Sequence, residues 1–150
     1  ETIVSKQPCG VMIMDEATSD GYGSLDEALE DCGISENGTL LTWIPVEYSV
    51  EGIHVTKLEG IIKINTVFRG NGNRRLYYRI VREFDGNSNV EYEKNDSYSD
   101  LWHINGINYY LMNNNDDRRV MWDIGSTYCN LFGDVTVEQL KSMVESIRNG

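Results

Sequence analysis

Few residues in this chain fall at spacings that could do chemistry. His54 and His103 are the only histidines, and each sits on a predicted strand, where a lone imidazole is more often structural or solvated than catalytic. No Ser, Cys or carboxylate has an orienting partner at motif spacing, and neither GxSxG nor HExxH occurs. The glycines of GNGN (Gly70 to Asn73) lie between predicted strands, so no helix N-terminus follows to hold a phosphate. Asp85, Asn87, Asn89, Glu91 and Asp96 fall at positions 1, 3, 5, 7 and 12 of an imagined calcium loop. Val90 stands where that loop needs Gly, and no helices flank it, so the Asp-Gly-Asn at 85 to 87 reads as a hairpin turn. The Asn113 to Asp117 run reads as a solvated turn, and no carboxylate pair is singled out for glycoside chemistry. No catalytic, cofactor-binding or metal-binding residue is therefore assigned, and the chain is read as non-enzymatic.

Aromatic residues are the richer signal: 3 Trp, 9 Tyr and 3 Phe in 150 residues. Alternation places most of them in a core or on a sheet face, Tyr109 and Trp122 included. Trp43, Tyr48, Trp102, Tyr110 and Tyr128 are the candidates for facing a ligand, on a sheet expected to present an aromatic face partly closed by a C-terminal helix.

Charge narrows the partners. With 24 acids against 13 bases the net charge is −11, which argues against nucleic acid, since that affinity comes mainly from Lys and Arg displacing counterions. The same sign disfavours an anionic membrane surface. A basic cluster at residues 69 to 82, interleaved with Tyr77 and Tyr78, is split between two faces by strand alternation. Cys9, Cys32 and Cys129 show neither CxxC nor CxxH spacing, so one disulfide is allowed without a readable pairing. No apolar run reaches the roughly 18 residues of a membrane span, so this segment does not insert directly.

The elements that must position these residues are legible. Ser24 and Glu27 form a capping box that opens a short helix, LDEALEDC, with Gly33 placed to end it. Pro45 forces Ile44 out of helical geometry, so Trp43 to Tyr48 reads as extended. Alternating strands are expected at 52–58, 61–68, 74–84, 89–93, 100–104, 107–112, 120–124 and 127–132. Their short turns imply antiparallel pairing. Thr136 and Gln139 cap a longer helix with Val137, Leu140, Val144 and Ile147 along one stripe. The expected fold class is α+β: one curved antiparallel sheet of about seven to nine strands, covered on one face by the two helices. A single domain spans 1–150, in which residues 1–23, with the apolar run Cys9 to Met14, read as an edge strand or extension.

The order of these signals resembles a bacterial family, domain of unknown function 4367, over residues 24 to 149. The resemblance rests on Pro45 and Tyr48; on Gly106, Tyr109, Tyr110 and Leu111; on Val120, Trp122, Gly125, Tyr128, Leu131 and Gly133; and on Glu138, Leu140, Val144, Ser146 and Ile147. It implies an extracytoplasmic domain of a membrane-anchored Gram-positive protein, with no catalytic set to carry over. The expectation is thus a non-enzymatic domain that senses or binds a protein, peptide, glycan or lipid at the cell envelope, held by a transmembrane helix upstream of Glu1. The alternatives are a lipid or lipoprotein carrier and, behind it, a cell-wall glycan hydrolase using an acidic pair.

Overall fold

Ser24 and Gly33 frame the first helix as their chemistry requires. In the computed structural model, which describes residues 22–84, 98–114 and 117–148, helix α1 spans Leu25–Cys32. The Ser24 side chain accepts from the Glu27 backbone N–H, and Gly33 ends the helix in the left-handed conformation at φ 68°. Helix α2, Val137–Glu145, opens on a complete capping box between Thr136 and Gln139.

Between them run seven strands: β1 Ser49–Leu58, β2 Ile61–Arg69, β3 Arg75–Glu83, β4 Asp100–Ile104, β5 Ile107–Asn114, β6 Asp117–Ile124 and β7 Thr127–Gly133. All six pairings are antiparallel, in the order β1-β2-β3-β7-β6-β5-β4. The fold is α+β, an open seven-stranded sheet with two helices.

The order is not a plain meander. After β3 the chain returns at the far edge, and β7 takes the place beside β3. Two expected strands, at 9–14 and 89–93, and the calcium-like series at 85–96 lie outside the described residues. β1 starts at Ser49, three residues before its expected start, and its register against β2 shifts between Val50 and Gly52. Such a bulge twists an edge strand. The stretch 40–45 is irregular, and the Tyr48 N–H donates to the Pro45 carbonyl at 2.9 Å, so the segment expected to be extended through Tyr48 closes in a turn.

Alternation assigns the faces. Ile62, Ile64, Thr66 and Phe68 of β2 point to the same side as Leu76, Tyr78 and Ile80 of β3 and Cys129 and Leu131 of β7, all buried. That side carries the helices, with α1 over β1 and β2 and α2 over β6. Trp122 is fully buried, and its indole N–H donates to the Gly38 carbonyl at 2.9 Å. Gly38 is at φ 80°, and a Cβ there would overlap Ile124. Among the described residues no helix is long and apolar enough to cross a membrane.

Candidate functional site

A pocket of about 380 Å³ opens where α1 meets the β1–β2 end of the sheet. Its wall is the first turn of α1 with Gly23, its rim is the stretch 40–44 with Val50 of β1, and its floor is Ile53 of β1 with Thr66 and Phe68 of β2. Two large apolar side chains stay exposed at the mouth, Trp43 at 44% and Val50 at 50%, which a packed core would have covered.

Three hydroxyls line this space, and two are committed. Ser24 donates to Asp26 at 2.5 Å, and Thr42 donates to the Ser146 carbonyl at 2.6 Å. Thr66 is 2% exposed, and its hydroxyl oxygen has no hydrogen-bond partner. That oxygen is closed off from water, so Thr66 meets the pocket through its other atoms, and valine would fill the same volume without burying a polar atom. The Ser24 hydrogen bond lowers the pKa of the Asp26 carboxyl, and Asp26 is the one acid among the lining residues, so this pocket holds no carboxylate pair.

Helix α2 holds the rim. The Ser146 hydroxyl accepts from the backbone N–H groups of Thr42 at 3.2 Å and Trp43 at 3.1 Å, while donating to the Met143 carbonyl at 2.7 Å. One side chain at the end of α2 thus places Trp43.

The five candidate aromatics are not brought together. Trp43 lines the pocket. Tyr48 is buried at the end of the sheet, donating to the Asp134 carbonyl at 2.6 Å, with Arg74 5.5 Å from its ring centre. Trp102 is buried on the helix-covered side, with the Lys141 ammonium 5.7 Å from its ring. Tyr110 and Tyr128 are half-buried on the opposite face, the one the two helices do not cover, where Tyr110 meets Tyr98 edge-on at 5.2 Å. The same face carries Phe132, stacked on Tyr77 at 5.2 Å and flanked by Arg119 at 4.5 Å and Arg79 at 5.8 Å. These cations and rings pair with one another.

His54 and His103 lie on β1 and β4, the two opposite edge strands, so they cannot act as a pair. His103 pairs through Nδ1 with the Asn108 side chain at 2.6 Å. Among the described residues no group of three or more His, Cys, Asp or Glu converges on a metal position. Cys32 is disulfide-bonded, whereas Cys129 is a free, buried thiol whose pKa burial pushes up to about 12.

Thr66 and Ser146 were not singled out from the sequence as site residues. The signal for Thr66 is its phase: in IIKINTVF it occupies the buried register of Ile62, Ile64 and Phe68. Ser146 belongs to the Ser-Ile pair of the family-like terminal helix, with nothing local to say that its hydroxyl reaches back to Trp43.

No curated protein and no solved structure matches this chain. The family model for a domain of unknown function, DUF4367, matches residues 39–147, which take in the pocket rim, β1 to β7 and α2 but not α1. That match covers most of the 150 residues, and the chain belongs to the DUF4367 family.

Proposed function

We propose that this chain is a non-enzymatic, extracytoplasmic binding domain of a membrane-anchored bacterial protein, and that its binding site is the pocket between α1 and the β1–β2 end of the sheet. The observation that carries the reading is an apolar pocket that leaves two large apolar side chains, Trp43 and Val50, exposed at its mouth. Apolar walls with few, well-placed polar groups are what a binding site needs. The disulfide-bonded Cys32 supports an oxidising compartment, because cytosolic thiols are kept reduced.

The anchored, envelope-facing part of the reading makes a direct prediction about the full-length protein. It carries an apolar run of about 18 or more residues on the N-terminal side of Glu1. A full-length reading frame without such a run contradicts the anchor. Thiol trapping of the protein taken from its native cells tests the compartment independently: Cys32 resists alkylation until a reductant is added. Immediate labelling of Cys32 contradicts an oxidising location.

The apolar lining also favours a second reading, a carrier for a single lipid tail. Mass spectrometry of gently purified protein separates the two. A hydrophobic ligand retained through purification supports the carrier; a ligand-free protein counts against it. A glycan hydrolase stands further back, because it needs two carboxylates in one cleft and Asp26 is alone in this one.

A further inference from the structure

Apolar surface continues beyond the mouth of the pocket. Besides Trp43 and Val50, Val46 is 96% exposed in the turn that joins the rim residue Ile44 to the start of β1. Three large apolar side chains in the stretch 43–50 carry the contact past what one small molecule would cover, as on a surface that meets another chain. Behind them the pocket, about 380 Å³ between Leu40, Ile44, Ile53 and Phe68, has room to bury one large apolar side chain as an anchor.

Charge around the mouth has one sign. Among the described residues that line the pocket only Asp26 carries charge, and no Lys, Arg or His is with it. Glu30 stands one turn further along the same side of α1, and both carboxylates are exposed. Arg148, whose charge reaches Asp26, is itself paired with Glu36 at 2.8 Å. Arg69 follows Phe68 on β2 but alternates to the other face of the sheet. An acidic segment laid across this mouth meets repulsion at α1, whereas a basic one is drawn to it. Exposed rim charges of this kind set specificity and encounter rate, while the buried anchor supplies most of the affinity.

We propose that the occupant is a segment of a partner protein that buries one large apolar side chain in the pocket and sets a flanking Lys or Arg against Asp26 and Glu30. The inference rests on the reading of this pocket as the binding site and adds the chemistry of the partner. It selects a basic, apolar-centred peptide and rejects an acidic one.

The test is a titration of the whole chain, at about 0.15 M salt, with the end-capped peptides KKLFKK, EELFEE and KKGSKK, followed by tryptophan emission. Trp43 lines the pocket whereas Trp102 and Trp122 are buried elsewhere, so Trp43→Phe removes the signal. KKLFKK is expected to give a saturable change. EELFEE, with the wrong charge, and KKGSKK, with no anchor, are each expected to bind at least about tenfold more weakly. Asp26→Asn keeps the shape of an exposed side chain and is expected to weaken KKLFKK by about 2–5-fold, with an unmoved circular dichroism spectrum showing that α1 is intact. Equal affinity for KKLFKK and EELFEE, or an unchanged affinity for KKLFKK in Asp26→Asn, overturns the basic partner and leaves the pocket as a binding site. KKGSKK bound as tightly as KKLFKK overturns the apolar anchor. No saturable change with KKLFKK overturns the proposal, and the pocket reading falls with it only if decan-1-ol also leaves the amide shifts of the pocket residues unmoved.

Discussion

Thr66 and Tyr78 are register partners on β2 and β3, both buried, and only one of their hydroxyls is satisfied. Tyr78 donates to the Thr39 carbonyl at 2.7 Å and ties the loop before the rim to the sheet, while the Thr66 hydroxyl beside it is buried without a partner. Two polar groups on one face therefore stand differently: the first ties the fold together, and the second is buried with its hydrogen bond unmade.

Replacing Thr66 by Val should stabilise the unliganded protein. The change keeps the shape and removes an unmade hydrogen bond, for a gain of about 1 kcal/mol. In a domain of this size that raises the thermal midpoint by about 2–4 °C. Calorimetry reads it, and a lower midpoint would mean that the hydroxyl has a structural partner.

Ser146→Ala should loosen the rim with little effect on overall stability. It strips the acceptor from the Thr42 and Trp43 N–H groups, which are exposed and can turn to water. The expected loss is at most about 1 kcal/mol, with a rise in Trp43 mobility seen by fluorescence anisotropy. A Trp43 signal identical to that of the unaltered protein would show that the rim is held by other contacts.

Trp122→Ala should be among the most damaging single changes. The ring is fully buried, 4.9 Å from Tyr109 and 5.8 Å from Tyr78, and its N–H satisfies the Gly38 carbonyl. A loss of about 3–5 kcal/mol in denaturant unfolding is expected. A loss below about 1 kcal/mol would place Trp122 outside the core.

Stability should fall at alkaline pH, with three buried acids among the contributors. Burial raises the pKa of the Cys129 thiol from 9.0 and that of the Tyr109 phenol from 10.0, each to about 12, and lifts Tyr78 well above 10.0. The folded chain then holds protons that the unfolded chain releases, so their contribution is complete below about pH 8 and declines as pH rises from about 9 towards 12. Denaturant midpoints measured across that range check the slope. A midpoint that stays constant to pH 12 contradicts the buried placement of all three.

Local chemistry made the elements legible. The Ser24 box and Gly33 mark α1 to the residue, β4 runs from Asp100 to Ile104 as its alternation predicts, β2 differs from expectation by one residue at its end, and β3 by one residue at each end. Strand order was not legible, because β7 finds β3 through side-chain packing across the sheet and no turn between them records it. The same limit hid the pocket. Its residues come from the start of α1, an irregular loop and two strands, and only the phase of Thr66 gave a trace of it. Aromatic content misleads for a related reason: Tyr109 and Tyr110 are adjacent in sequence yet lie on opposite faces, one in the core and one outside it.

The most direct test of the central claim is where a ligand lands. Amide chemical shifts recorded with and without an apolar probe, decan-1-ol, should move at residues 23–26, 40–44, 50–53 and 66–68, and stay fixed at Tyr110, Tyr128 and Phe132 on the face opposite the helices. Shifts that gather on the face opposite the helices, or that appear nowhere, would contradict the pocket as the binding site of this domain.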